Sequence, residues 1–286
     1  GLNTPPSSLR TVVAPSLALA TIGVFATAGI LATFAHAGGD VAWPVALLIG
    51  SVVSSTDAAA VFATLRGSGI TLKSRVGRTL EAESGLNDPV AVILTISLTT
   101  FVLHRTIETG GSVWSLPVVA AFEIVVGAIA GWLAGTLSRR LITRVRLESA
   151  GLYPVLTLAI AFTVFGVTTL LHGSGFLAVY VAGVMLAGGE QLPHRPAILR
   201  VHDAFAWLAQ IGMFLVLGLL AFPTRLAAAA LPGLGLAAVL TFIARPVAVA
   251  LCLAPFRYSI RETLFLGIVG LRGAVPVVLA TIPVMA

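Results

Sequence analysis

The chain has 286 residues, of which 58% are hydrophobic and 10% are charged, and its mean hydropathy is +1.04. A soluble domain carries about 25% charged residues, so this composition excludes a water-covered surface and indicates an integral membrane protein. The isoelectric point is near 10.7, but the basic residues lie in short segments between apolar runs, so no nucleic-acid partner is predicted. The chain begins with Gly and stops inside an apolar run, and we therefore expect it to be a fragment.

Nine apolar runs approach or exceed the roughly 20 residues that a membrane-spanning helix needs. The sixth is short and the eighth is long, and every connection between them is brief. The predicted fold is therefore an all-α integral membrane bundle lying in the lipid bilayer. In chain order the predicted spans are 12–35, 43–65, 79–103, 113–138, 152–171, 174–189, 204–222, 227–255 and 262–285.

Lys and Arg are distributed very unevenly between alternate connections. With the N-terminal end of the chain inside, the inner segments hold thirteen of these residues, the outer segments hold two, and two more lie within spans. This asymmetry obeys the positive-inside rule. It predicts that the N-terminal end of the chain is cytoplasmic and the C-terminal end external.

Six charged residues fall near the middle of predicted spans. A charge at that depth costs about 2.5–3.5 kcal/mol on insertion scales, and by default it marks an ion pathway or a proton relay. Opposite signs on different helices predict a polar site inside the bundle. The six are Asp57 in the second span, Glu83 and Asp88 in the third, Glu123 in the fourth, Arg245 in the eighth and Arg272 in the ninth.

The spacing of the polar residues in the third span places them on two adjacent faces. Ser84 and Asp88 are four residues apart and share one face, and Glu83 and Asn87 share the next. Pro89 removes a backbone donor and loosens the helix at that level.

The second and ninth spans carry the sequence signs of interrupted helices. The second contains "SSTD" at 54–57, and the ninth contains three glycines and a proline within "GIVGLRGAVP" at 267–276. Such pairs of interrupted helices form midplane binding sites in transporters. The hydroxyl and carboxylate oxygens of "SSTD", together with carbonyl oxygens freed at the breaks, suit an alkali cation. Because the sequence has no cluster of Cys or His, we predict no transition metal and no cofactor.

The charges of the candidate site add up to one unit short of neutral. Asp57, Glu83 and Asp88 contribute −3, and Arg245 and Arg272 contribute +2. One proton or one monovalent cation neutralises the remainder, so the two would compete. Competition of this kind, combined with alternating access, predicts one-for-one exchange.

Four segments of the sequence match motifs of a known family: "SSTDAAAVF", "LEAESGLNDPVAV", "ARP" at 244–246 and "GLRGAVPVVLA" at 270–280. They resemble the monovalent cation:proton antiporter family, especially bacterial potassium/proton antiporters of the cell-volume-regulation type. The resemblance implies a roughly 13-helix inverted-repeat fold in the bacterial inner membrane, with two unwound crossing helices and a homodimeric assembly. The chain would hold about nine of those helices as a single transmembrane antiporter domain over 1–286, exchanging K⁺ or Na⁺ for H⁺.

The resemblance also implies roles for individual residues. Asp88 would bind the cation or proton, with Thr56, Asp57, Ser84 and Asn87 around it. Because Asn87 stands where some members carry a second acid, the exchange is predicted to be electroneutral. Glu83 and Arg245 would form a structural ion pair, and Arg272 would lie at the crossing.

Several alternatives stay open at this stage. Arg272 either compensates helix dipoles or tunes the proton affinity of Asp88, and Glu83 with Arg245 could instead take part directly in ion binding. Glu123 is interpreted as a residue bonded to a neighbouring helix. Asp57 and Asp88 could form the dyad of an intramembrane aspartyl protease, although the Gly-x-Gly-Asp pattern of that class is absent. A channel would need pore-lining rings or a repeated filter, and the sequence has neither.

Overall fold

The computed structural model describes residues 11–39, 41–66, 72–105, 116–188, 192–220 and 223–285. These residues form helices and connecting turns, with no β-strand among them. They divide into two units. We call the described residues of 11–118 and from 216 onwards the crossing unit, and those of 119–215 the second unit.

The described part of the first half of the chain forms five helices. The first passes through a π-helical turn at Leu19–Gly23, and the fourth continues through Pro89 without a break. Gly50 brings α2 against the backbone of Ala28 in α1, with no room for a Cβ atom. The helices are α1 (Val13–Gly39), α2 (Trp43–Val52), α3 (Ala58–Arg66), α4 (Ser74–Arg105) and α5 (Leu116–Arg144).

Seven more helices lie in the residues of the second half that the structure describes. Between α9 and α10 a π-helical turn occupies Leu240–Ala244, just before Pro246, whose missing N–H removes one helical hydrogen bond. A 3₁₀ turn at Ala254–Phe256 follows α10. The helices are α6 (Leu152–Leu170), α7 (Gly175–Ala187), α8 (Arg195–Leu220), α9 (Pro223–Val239), α10 (Arg245–Leu253), α11 (Ile260–Ile268) and α12 (Ala274–Met285).

Among the described residues, six helical stretches are long and apolar enough to cross a membrane, and three further apolar helices are shorter. The predicted second span is divided into α2 and α3, and the predicted ninth span into α11 and α12. The predicted seventh span begins earlier than 204, because α8 starts at Arg195 and buries Ile198 in a core cluster. The predicted limits at 113, 189 and 222 lie outside the described residues, and the total of nine spans stays a prediction.

Small residues allow close packing within the second unit. A Cβ atom at Gly131 would meet the Cα atom of Ala178 at 2.9 Å, and one at Gly135 would meet that of Ala182 at 2.9 Å. These glycines lie four residues apart on one face of α5. The pattern of small residues at this spacing is one that brings membrane helices into contact.

Candidate functional site at two interrupted helices

The two interruptions of the crossing unit, residues 53–57 between α2 and α3 and residues 269–273 between α11 and α12, contact each other. The backbone N–H of Asp57 donates to the carbonyl of Leu271 at 2.8 Å. In the other direction, Nε of Arg272 donates to the carbonyl of Val53 at 3.1 Å. The helices break here because both segments are rich in poor helix formers. The serines of "SS" compete for backbone hydrogen bonds, and the glycines of "GLRG" give the backbone conformational freedom.

Arg272 lies at the carboxyl ends of two half-helices. It donates to the carbonyl of Val53, which caps the end of α2, and to the carbonyl of Gly270, two residues beyond the end of α11. Carbonyls at a helix C-terminus carry partial negative charge, which a guanidinium compensates. These contacts are of the kind that compensation of helix dipoles requires, and both predicted roles of Arg272 stay predictions.

Asp57 lies at the amino end of a half-helix. Its Oδ1 accepts hydrogen bonds from the backbone N–H groups of Ala59 at 2.8 Å and Ala60 at 3.2 Å. This is an N-cap on α3, and the carboxylate also offsets the positive end of that helix dipole. One oxygen of Asp57 is therefore already committed to the helix, and Oδ2 is left for other contacts.

Two glycines permit the close approach of the interruptions. A Cβ atom on Gly273 would overlap the carboxylate of Asp57. A Cβ atom on Gly270 would lie 2.9 Å from Nε of Arg245 and 3.1 Å from Cγ2 of Thr56. Neither position can carry a larger residue without moving a charged side chain of the site.

Helix α4 contacts the first interruption through two polar side chains. Nδ2 of Asn87 donates to the hydroxyl of Thr56 at 2.7 Å, and Oγ of Ser84 accepts from the backbone N–H of Ala58 at 3.1 Å. Asn87 is fully buried, and its Oδ1 has no hydrogen-bond partner among the described residues. An unpartnered buried carbonyl oxygen is available to a cation.

Asp88 lies beside this group with part of its surface accessible. Its carboxyl interacts electrostatically with Asp57 and lies close to the hydroxyl of Ser55, which is buried and makes no hydrogen bond of normal geometry within the described structure. Neither Asp57 nor Asp88 belongs to an ion pair formed by the described residues. The two carboxylates thus share a site with several polar oxygens and without a paired cationic side chain.

Glu83 and Arg245 form an ion pair in the core of the crossing unit. The side chain of Glu83 is 0% exposed and that of Arg245 is 1% exposed. Their charges cancel within the pair, one turn of α4 away from Asn87. The pair therefore joins α4 to the start of α10.

The structure brings together eight residues that the sequence pointed to, all in the crossing unit, whereas Glu123 belongs to the second unit. There the backbone carbonyl of Glu123 accepts from the N–H of Ser174 at 3.0 Å. At this site the sequence did not single out Ser55, because "SSTD" contains three hydroxyl residues in a row and nothing in the sequence showed which of them would lie close to Asp88. The eight are Thr56, Asp57, Glu83, Ser84, Asn87, Asp88, Arg245 and Arg272.

Comparison with known proteins identifies the family. A family model described as "Sodium/hydrogen exchanger, transmembrane" matches residues 1–286. The chain belongs to this family. Its members are exchangers and not enzymes, so the aspartyl protease alternative is not supported.

Relatives within the exchanger family carry antiporter names. The chain is 44% identical over 286 residues to the K(+)/H(+) antiporter NhaP of Alkalimonas amylolytica, and the alignment covers 100% of this chain and 49% of the relative. It is 42% identical over 287 residues to the K(+)/H(+) antiporter NhaP2 of Shewanella oneidensis, where the alignment again covers 100% of this chain and 49% of the relative. The chain therefore spans about half the length of these curated relatives.

A solved exchanger structure has the same fold. The sodium proton antiporter MjNhaP1 from Methanocaldococcus jannaschii at pH 8 superposes with a TM-score of 0.85 and 25% sequence identity, covering 98% of this chain and 68% of that chain. This match confirms the predicted all-helical antiporter fold.

Proposed function

We propose that the full-length protein exchanges K⁺ or Na⁺ for H⁺ across the membrane, with the two ions competing at Asp88. The observation that carries this proposal is the position of Asp88 beside Asp57 and the buried Ser55, with no cationic side chain of the described structure paired to it. Such a carboxylate needs a partner from outside the protein, and a proton or an alkali cation can be that partner.

The ligands of the cation would be oxygen atoms from both α4 and the first interruption. Asp88 supplies the exchangeable carboxylate, and Ser84, Asn87, Thr56 and Asp57 surround it. The Oδ1 atom of Asn87, which has no hydrogen-bond partner among the described residues, is a suitable ligand because hard oxygen donors bind alkali ions. Ser55 joins this set as a further candidate ligand.

The charges observed at the site support electroneutral exchange. Glu83 and Arg245 cancel each other, and Arg272 is directed at the carbonyl ends of α2 and α11. Asp57 and Asp88 together with Arg272 then leave a net charge of −1. One proton or one monovalent cation balances that charge, so each cycle would move one of each.

The setting of the protein is proposed from the charge pattern and the family resemblance. We propose a homodimer in the bacterial inner membrane, with the N-terminal end of this chain cytoplasmic and its C-terminal end external. The thirteen-to-two distribution of Lys and Arg supports the orientation.

A vesicle assay tests the exchange directly. Full-length protein in acid-loaded proteoliposomes is expected to release internal protons when K⁺ or Na⁺ is added outside, as reported by a pH-sensitive dye. The initial rate should not change when a membrane potential is imposed, because no net charge moves. Li⁺ in the same assay measures size selectivity, and choline serves as the control cation. A wild-type protein that releases no protons with any alkali cation would contradict the proposal.

Gly273 offers a steric test of the crossing. Gly273→Ala is expected to reduce the exchange rate by about tenfold or more, because a displacement of about an ångström at a reacting group has effects of at least that size. Its Cβ atom would displace the Asp57 carboxylate.

Gly29→Ala is the matched control for this substitution. Gly29 lies in α1, and a methyl group added there would have, apart from its chain neighbours and the backbone of its own helix, no described atom within 4 Å. Its replacement should therefore leave the rate unchanged. Equal exchange rates in the two variants would show that the close approach at Gly273 is unimportant.

A further inference from the structure

Every fourth residue of α4 makes a polar contact, from the beginning of the helix to the candidate site. Residues four apart are neighbours on the helix surface, and because each step of four residues turns by about 40°, this row winds around about a third of the helix. The row begins at Arg75, twelve residues or about 18 Å before Asn87. Its members are Arg75, Thr79, Glu83 and Asn87, and each makes a hydrogen bond or ion pair with another element of the crossing unit.

Arg75 contacts the turn between α10 and α11. Its Nη2 donates to the carbonyl of Phe256 at 2.7 Å, and its Nη1 donates to the carbonyl of Arg257 at 3.3 Å. The guanidinium also lies over the ring of Tyr258, with Cζ 3.9 Å from the ring centroid. Because Arg257 has a positive φ of 52°, the chain reverses here and leaves both carbonyls without helical partners, and Arg75 supplies the donors.

Tyr258 makes a second contact with the same helix. The hydroxyl of Thr79 donates to the carbonyl of Arg75 at 2.8 Å, so its only proton is already used. The hydroxyl of Tyr258, 2.7 Å from Oγ1 of Thr79, must therefore be the donor in their hydrogen bond. Arg75, Thr79 and Tyr258, with the two carbonyls, form what we call the Arg75 cluster.

The Arg75 cluster joins the elements that carry the candidate site. Helix α4 holds Asn87 and Asp88, and α10 begins with Arg245. Helix α11 leads into the second interruption, which contacts Asp57. A sliding or rotation of α4 against α10 and α11 would break the cluster and move Asp88 relative to the crossing.

We propose that Arg75 and Tyr258 are positioning residues for ion exchange, which fix α4 against the α10–α11 turn and so set the place of Asp88 at the crossing. This inference rests on the proposed exchange function. Neither residue touches the transported ions, since both act through the register of α4. Because cation binding is sensitive to the position of the ligand atoms, loss of the Arg75 cluster changes the affinity of the site for the cation as well as the stability of the protein.

The test compares substitutions in the cluster with one beside it. Arg75→Gln and Tyr258→Phe in the full-length protein are expected to raise the cation concentration that gives half-maximal exchange, by about tenfold and about threefold respectively, in line with the loss of two hydrogen bonds and of one. Arg75→Lys should not restore the wild-type value, because an ammonium group cannot reproduce the paired donation of a planar guanidinium. The assay is the acid-loaded vesicle measurement, with rates normalised to folded protein.

Lys73→Gln is the matched control. Lys73 forms an ion pair with Glu262 at 2.9 Å close to the cluster, but its side chain is 76% exposed and it makes no contact with the turn carbonyls in the described structure. The cation concentration that gives half-maximal exchange should be the same for Lys73→Gln as for the wild-type protein.

The outcomes separate the positioning role from the exchange function. If Arg75→Gln and Tyr258→Phe lower only the amount of folded protein and leave the half-maximal cation concentration unchanged, the cluster is a stabilising contact and the positioning role is wrong. Should Arg75→Gln fail to fold, the Tyr258→Phe value alone decides, because that substitution removes a single hydroxyl. A wild-type protein without exchange would instead contradict the proposed function itself.

Discussion

Replacement of Asp88 by asparagine is expected to abolish cation/proton exchange while leaving the protein folded. The substitution preserves shape but removes both the proton that is exchanged and the charge that binds the cation. Asp88 is partly accessible and forms no ion pair within the described structure, so its loss leaves no buried charge without a partner. The measurement is dye dequenching in proteoliposomes on addition of K⁺ or Na⁺, together with thermal unfolding of the purified protein.

Asp203→Asn is the control for the Asp88 substitution. Asp203 lies on α8 in the second unit and is exposed, so its replacement removes the same charge from a residue outside the crossing unit. It should exchange ions at the wild-type rate. Dequenching by Asp88→Asn vesicles at a rate near that of the control would show that another group carries the proton.

Glu83→Gln is expected to lower the free energy of unfolding by about 3–5 kcal/mol, because it leaves the charge of Arg245 buried without its partner. Both side chains are almost completely inaccessible. The measurement is the thermal unfolding midpoint in detergent, with yield from the membrane as a second readout.

Two comparisons make the Glu83 result specific to the ion pair. The double variant Glu83→Gln with Arg245→Gln removes both charges and should recover part of the lost stability. Lys73→Gln breaks an exposed ion pair and should change the midpoint only slightly. A wild-type midpoint in the single Glu83→Gln variant would count against a structural role for this pair.

The sequence was sufficient to place the charged residues of the site in one bundle. A charge within an apolar run has few tolerable positions, so Asp57, Glu83, Asp88, Arg245 and Arg272 had to face a shared interior. Regular spacing on α4 then predicted which of its polar residues share a face. The long apolar runs and the Lys/Arg asymmetry predicted the all-helical fold in the same way.

The roles of individual oxygens could not be predicted, because they depend on where an irregular backbone turns. Asp57 caps α3 only because the chain restarts as a helix at Ala58, and composition does not set that residue. The closeness of Gly273 to Asp57 depends on two segments more than 200 residues apart. The Arg75 cluster was missed because a basic residue near a membrane end is already explained by topology.

The division of the predicted second and ninth spans has a related cause. Hydropathy over a window of about 20 residues is insensitive to a break of five residues. Both interruptions, 53–57 and 269–273, consist largely of residues that are compatible with the membrane interior. Glycine content in the ninth span and hydroxyl content in the second indicated the breaks, but not which residues leave the helix.

Competition between the proton and the cation at one carboxylate is the central claim, and the pH dependence of the half-maximal cation concentration tests it most directly. In proteoliposomes of the full-length protein, that concentration should rise as the pH falls, by about tenfold per pH unit once Asp88 is mostly protonated, while the maximal rate at saturating cation stays constant. A half-maximal concentration that does not change with pH would mean that the two ions bind at separate sites, and would contradict the exchange at Asp88.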